Sequence, residues 1–286
     1  MIFSMTAFGQ AGATIDGRRY TVEIKSVNNK YNDIAVKLPP SLRSFETALR
    51  KQLAAALRRG KIFVAVTEET VDSSALPSIN GEALMYYKEQ LQDIFPQLNE
   101  KDIVPALLRR PEVWEQPAED TESLWEKLQP VIHEATEKFV AYRRTEGEEI
   151  RKDMLEKVAV IRRALDEVEK RDPGRLDRIR QRLGQIAASL RDKADPNRLE
   201  QELLLYMDRL DINEEKQRLR HHLDYFLGTL EAPDMEKGKK LHFIAQEMGR
   251  EINTLGAKAN DADIQRLVVE MKDALEKIKE QTANVV

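Results

Sequence analysis

The stretch "KKLHFIAQEMGREINTLGAKAND", Lys239 to Asp261, mixes side chains able to bind metals, phosphates or bases into a helical pattern. Leu241, Ile244, Met248, Ile252 and Leu255 recur at helical spacing and, at about 100° per residue, fall in an arc of roughly 80°. His242, Gln246, Arg250 and Asn253 lie within about 80° of one another on the far side, and Glu247 and Thr254 extend that arc. Glu251 sits at its border. One face is dry. The other offers an imidazole, amides, a guanidinium and carboxylates. The same pattern fits an ordinary solvated or inter-helix polar face, the usual companion of an apolar stripe.

A second constellation is "DINEEKQRLRHHLDYF", with Asp211, Glu214, Glu215, Arg218, His221 and His222. Asp211 is expected to cap the helix that follows, with Glu214 acting as in a capping box. Glu215, three residues before Arg218, is expected to form a helical ion pair with it. His221 and His222 are adjacent and point different ways, so at most one is expected in a given site. Two helices that each offer carboxylates and imidazole can build a metal cage when packed side by side. The Glu-x-x-His spacing of a di-iron site is absent. With no cysteine in the chain, a metal would sit on carboxylates, imidazoles or water, which favours Mg²⁺ or Mn²⁺. No P-loop, GxGxxG, HExxH, EF-hand or GxSxG pattern occurs, which removes the motif-bearing nucleotide, protease and hydrolase classes.

A third set lies early. In "SVNNKYNDIAVKLP", Asn28, Lys30 and Tyr31 stand between two predicted strands. They read as a polar turn, or as RNA contacts in which the amide meets base edges, Lys30 a phosphate and Tyr31 a base face. Arg58, Arg59 and Lys61 offer a second phosphate patch, or a charge match to a helix C-terminus. Residues 1–72 carry 11 Lys and Arg against 7 Asp and Glu, net +4, while the remainder is net −8. An RNA-binding surface would draw on that basic first segment.

The elements that must position these residues define an α+β fold. A small N-terminal β-sheet and helix domain, 1–119, precedes an elongated all-helical domain, 120–286, with antiparallel helical arms and the His/Glu/Arg site. The Asp16-Gly17 turn joins two strands, and Tyr20, Val22 and Ile24 alternate. Ile34, Val36 and Leu38 mark a third strand, and Ile62, Val64 and Val66 a fourth. Ser41 is expected to cap a helix through Leu42, Phe45, Leu49, Leu53 and Leu57. Helices are expected from Gly81 to about Phe95 and near Ile103 to Arg109. From Asp120 the pattern is helical almost throughout, with an expected break at Asp172-Pro173-Gly174. Leu176, Ile179, Leu183, Ile186 and Leu190 form a narrow stripe suited to a two-helix antiparallel arm. Asp195-Pro196 starts another helix, Gly256 is expected to end the site-bearing one, and Asn260 to begin the last. No apolar run approaches the ~18 residues that span a bilayer, and "MIFSMTAFGQAG" lacks a basic start and long apolar core. The protein is read as cytoplasmic, with no membrane partner.

Three blocks together resemble the YicC-like endoribonuclease family. They are "SMTAFG", "VEIKSVNNKYNDIAVKLP" with a following "RGK", and the long C-terminal "LHFIAQEMGREINTLGAKANDADIQRLVVEMKDALEKIKEQTANV". "DINEEKQRLRHHL" fits the block the family carries before the last of these, with His222 on the family position. The family commonly has Gly at Ala7 and His-Arg at Asn29-Lys30. The resemblance implies a bacterial, cytoplasmic, metal-stimulated endoribonuclease that acts on RNA as a ring-shaped homohexamer, with other RNA-decay proteins as further partners. Given that activity, chemistry assigns roles. Glu247 and Glu251 would hold Mn²⁺ or Mg²⁺, completed by Glu214 or Glu215. Arg250 would grip a phosphate oxygen. His242 would donate or accept a proton or bind the metal. Gln246 and Asn253 would position RNA, and Asp211, Arg218 and His222 would support the site. The alternative is a non-catalytic oligomeric scaffold that binds RNA and delivers it to another nuclease.

Narrow stripes bury little against one large core, so an oligomer, and by resemblance a hexamer, is expected. Light scattering at micromolar concentration checks this. A mass near the 32.9 kDa of one chain would refute it.

Overall fold

In the computed structural model the chain is described over residues 2–29, 33–57, 60–73, 76–115, 120–190, 195–233 and 237–286. Lys30, Tyr31, Arg58 and Arg59 lie outside the described residues.

Strands β1 (Ala7–Ile15) and β2 (Arg18–Val27) pair antiparallel. Asp16 and Gly17 both take positive φ, 48° and 76°, as the two-residue hairpin turn requires. Strands β3 (Asp33–Lys37) and β4 (Lys61–Thr70) complete a sheet in the order β1-β2-β4-β3, with β3 parallel to β4. A parallel pair needs a crossover. It is supplied by a 3₁₀ turn over Pro40–Phe45 and helix α1 (Glu46–Ala56). Ser41 therefore does not cap a helix. Pro40 opens the 3₁₀ turn, where its fixed φ and missing N–H cost nothing, and α1 begins later without a side-chain cap. Val22, Ile24, Ile62 and Val64 are buried with Leu49 and Leu53 of α1. Leu128, Ala135 and Phe139 of helix α4 (Thr121–Leu190) close the same core. Between β4 and α4, two short strands, β5 (Ser78–Ile79) and β6 (Trp114–Glu115), pair antiparallel around α2 (Gly81–Ile94) and α3 (Glu100–Leu107). Asn80 caps α2 by accepting from the Ala83 N–H at 2.8 Å.

Four more helices follow: α5 (Pro196–Arg209), α6 (Asn213–Glu231), α7 (Gly238–Ala259) and α8 (Ala262–Ala283). Asp195 caps α5 as its sequence position suggests. The chain forms two compact units. One is Ala7–Val140. The other joins Met1–Thr6 to Ala141–Val286, so the division falls inside α4 and not at its start. In the second unit, Met154, Ile161 and Leu165 of α4 share a core with Leu219 and Phe226 of α6, Leu241 and Met248 of α7, and Met271 and Ile278 of α8. The α+β class read from the sequence holds, and no helix among the described residues is long and apolar enough to cross a membrane.

Two helix ends differ from expectation. Helix α4 runs unbroken through Asp172, Pro173 and Gly174. A proline inside a helix costs about 3 kcal/mol, but here its neighbours are tied down by tertiary bonds. Arg175 is 2% exposed and donates through Nε to Asp172 Oδ1 at 2.8 Å, through Nη1 to the Ala259 carbonyl at 3.0 Å and through Nη2 to the Leu210 carbonyl at 2.9 Å. Lys216 donates to the other oxygen of Asp172 at 2.6 Å. The second difference is at Gly256, which does not end α7. It lies where α7 meets α8, and a Cβ there would fall 2.9 Å from Val268 Cγ1. The helix ends at Ala259, with Asn260 in the left-handed conformation (φ 44°, ψ 43°). Asp261, not Asn260, starts α8, accepting from the N–H groups of Asp263 and Ile264 at 3.0 and 3.1 Å.

Replacing Arg175 with Met should strip the Ala259 and Leu210 carbonyls of donors and leave buried Asp172 with one partner fewer. The expected loss is about 3–5 kcal/mol. Urea unfolding measures it, and an unshifted midpoint would refute the role.

Candidate functional site

Helix α7 packs against both α6 and α8 because Ala245, Gly249 and Gly256 widen its buried face beyond the stripe of large apolar side chains. That packing divides its polar residues. Glu247 and Glu251 face α6, where they line an open groove of about 450 Å³ with Gln217, Arg218, His221 and His222. The lining consists of three helical i, i+4 pairs: 217 with 221, 218 with 222, and 247 with 251. Adjacency does not exclude either histidine. Residues about 100° apart on one helix can border the same groove, and both rings do, edge to face with centroids 6.0 Å apart. Gln217 and His221 thus line the groove beyond the site residues that spacing and resemblance suggest. Their i, i+4 spacing was the available signal.

Glu247 is half-buried, and its Oε1 has no aligned hydrogen-bond donor. Arg250 Nη1 comes within 2.8 Å of that oxygen, but out of hydrogen-bonding alignment. The guanidinium itself is largely exposed, with 74% of its side chain open to solvent, so it can swing from Glu247 to an incoming anion. Arg218 is also exposed and pairs with Glu214, one turn before it.

Other expected members are held elsewhere. His242 faces α8, not the groove. Its Nδ1 lies 3.0 Å from Thr282 Oγ1, and Gln246 Nε2 lies 3.2 Å from its Nε2. Thr282 already donates to the Lys279 carbonyl at 2.7 Å, so its oxygen accepts from His242. The proton is therefore on Nδ1, and Nε2 accepts from Gln246. Asn253 is exposed on α7. Glu215 does not pair with Arg218. It is buried, with Oε1 2.7 Å from Lys258 Nζ on α7, because its position on α6 points inward. Asp211 is not the cap of α6: Ile212 takes that place without a side-chain bond, Asp211 accepts from the Asn213 N–H at 2.9 Å one residue earlier, and Glu214 pairs with Arg218 and closes no capping box. Asn28 and Lys61 belong to the sheet-bearing unit. Asn28 is exposed just past β2, and Lys61 opens β4 with its Nζ 5.2 Å from the centre of the Phe63 ring.

Among the described residues, no three His, Asp or Glu side chains form a ready-made metal cage. The groove instead offers two carboxylates on one helical face. Mg²⁺ keeps several of its waters and is usually bound through one or two carboxylates plus substrate phosphates. Glu247 and Glu251, with one buried carboxylate oxygen lacking an aligned donor, fit an ion held in that way. Glu215 does not, because it is buried outside the groove lining and its charge is met there by Lys258.

Comparison with known proteins covers both ends of the chain. Residues 2–152 match the family described as "Endoribonuclease YicC-like, N-terminal region", and residues 168–286 match "Endoribonuclease YicC-like, C-terminal". A Clostridioides difficile (strain 630) protein named probable endoribonuclease YicC is 30% identical over 296 residues, spanning all of both chains. A Haemophilus influenzae protein of the same name is 33% identical over 287 residues, again spanning all of both.

The division of labour between Glu215 and Glu247 is testable. Glu215→Gln should cost about 1–3 kcal/mol, the scale of a charged hydrogen bond. The hydrogen bond that Lys258 donates to Glu215 raises its ammonium above the usual lysine value. The pair's contribution should therefore be whole at neutral pH and fade only as pH rises through the lysine range toward that raised value. Urea midpoints at neutral and alkaline pH measure both effects. A Glu215→Gln cost that is already absent at neutral pH, or that stays undiminished at alkaline pH, would contradict this account.

Proposed function

The chain belongs to the YicC-like endoribonuclease family, and from that premise we propose that it cleaves RNA phosphodiester bonds at the groove between α6 and α7. The observation that carries this reading is the meeting of Glu247 and Glu251 with Arg218, His221 and His222 along one open groove. Phosphodiester cleavage needs the phosphate charge balanced, a nucleophile activated and the leaving oxygen protonated. The groove has a residue type for each.

Glu247 and Glu251 would hold Mg²⁺ or Mn²⁺. Bound there, the ion would balance phosphate charge and make water a better nucleophile. Arg218 and Arg250 are exposed guanidiniums able to grip phosphate oxygens in a two-pronged manner. His221 and His222 are the proton carriers, since an imidazole can both accept and donate a proton and both rings border the groove. His242 has a supporting role, bracing α7 against α8 through Thr282. Water as nucleophile would leave a phosphate monoester with no cyclic product.

We also propose that the protein works as an oligomer, a hexamer on the family pattern. Helix α2 supports this because it buries none of its residues, while Met85, Tyr86 and Ile94 are 49, 59 and 67% exposed. A helix with no buried face is uncommon where it meets only water.

Glu247→Gln and Glu251→Gln should each leave assembly and RNA binding intact and slow cleavage at least about 10²-fold in Mn²⁺, the scale on which one catalytic group matters. If both variants cut at the wild-type rate, the groove is not the cutting site. If even the wild type, purified free of other nucleases, binds RNA without cutting it, the scaffold reading replaces the enzyme.

A further inference from the structure

Among the described residues, the sheet of the N-terminal unit has one face packed and one face open. Its inner face is covered by α1 and the first part of α4. On the outer face the register aligns one residue from each strand in a single row: Phe8 of β1, Lys25 of β2, Phe63 of β4 and Ala35 of β3. Phe8 is 40% exposed and Phe63 42% exposed. Lys25 Nζ stands 5.6 Å from the Phe8 ring centre, and Lys61 Nζ stands 5.2 Å from that of Phe63. Two phenylalanine rings thus flank a central strand, each with a lysine over it.

Solvent-facing positions on an antiparallel sheet ordinarily carry polar side chains. Two rings in one row are a departure that invites an occupant. A protein partner is a poor match, since interface cores are depleted in lysine and would have to desolvate both ammonium groups. A single nucleic-acid strand matches both the rings and the lysines. Unpaired bases stack on aromatic rings presented by a sheet, and lysines neutralise the phosphates between them. The rings lie two strands apart, about 10 Å at the usual strand spacing, which suits neighbouring nucleotides with splayed bases. Lys25 also pairs with Glu23 on the same face. That contact and both cation–ring contacts are exposed and weak, so the long lysine side chains can turn to phosphates when bases take the rings.

We propose that the outer face of this sheet is a single-stranded RNA platform on which Phe8 and Phe63 stack two unpaired bases and Lys25 and Lys61 meet the backbone. The proposal rests on the reading that the protein acts on RNA, and it adds a base-stacking surface separate from the cutting groove.

The test compares two labelled strands of equal length by fluorescence anisotropy: a short unstructured RNA and an abasic ribose-phosphate strand. Both carry the phosphates, but only the first can stack. The full-length wild type should bind the RNA more tightly than the abasic strand. Phe8→Ala and Phe63→Ala should each weaken RNA binding by about fivefold or more, on the scale of base–aromatic stacking. Together they should erase the preference over the abasic strand, with circular dichroism and oligomeric mass unchanged. Phe8→Tyr with Phe63→Tyr should restore it. If the double alanine variant keeps wild-type affinity, the platform is refuted while RNA binding stands. If the double variant loses oligomeric mass, the face is covered by a second copy and the platform is refuted. A wild type that binds neither strand at low salt would overturn the RNA reading as well.

Discussion

One buried guanidinium sets the geometry of the C-terminal unit. Arg175 sits in the middle of a helix that contains a proline, yet its bonds reach the ends of two others. It supplies donors to the carbonyls at Leu210, where α5 ends, and at Ala259, where α7 ends. Helix C-termini leave carbonyls without partners, and burying them requires a donor. A planar fork with five N–H groups can serve several acceptors at once, which an ammonium on a flexible stem does less well. Asp172 balances the charge and brings in Lys216 of α6. Four helices are thereby tied at one point, and the relation of α6 to α7 that makes the groove depends on it.

The N-terminal block "SMTAFG" gains a structural meaning in the same unit. The Ser4 N–H donates to the Arg143 carbonyl at 3.1 Å, and the Met5 N–H to the Asn284 carbonyl at 2.8 Å. Val286 donates back to the Phe3 carbonyl at 3.0 Å. Thr6 Oγ1 donates to Glu146 at 3.1 Å. The first residues thus sew the start of the chain to its end and to α4. Arg143 is buried alongside, and burial pulls its guanidinium down to about 10, still charged at neutral pH. A motif that reads as a family signature here works as a clasp, while the groove residues come from blocks more than 200 residues later.

Helix α7 shows how packing assigns roles to side chains of similar chemistry. His242 braces α8, Glu247 and Glu251 face the groove, Lys258 neutralises a carboxylate of α6, and Arg250 and Asn253 meet solvent. From the helical projection alone, His242 and Glu247 belong to one polar arc. Only the positions of α6 and α8 on either side separate them.

The sequence by itself determined the elements that local rules govern. The Asp16-Gly17 hairpin, the alternation of Val22 and Ile24, the Asp195-Pro196 helix start and the dry stripe of α7 are all short-range consequences of backbone and burial preferences, and each is where its residues indicate. Glu247 and Glu251 could be picked as a pair because i, i+4 spacing is fixed by the helix itself. Tertiary structure decided what depends on neighbours distant in sequence. Pro173 fails to break α4 because Arg175 reaches carbonyls 35 and 84 residues away. Gly256 serves a close helix approach because Val268 lies against it. Glu215 is a structural ion because Lys258 is packed beside it, and both histidines reach the groove because α7 lies where it does. The alignment of Phe8 with Phe63 likewise exists only once strand order and register are set. Local pattern fixes which face a residue takes on its own element, and only the packing of elements fixes what that face meets.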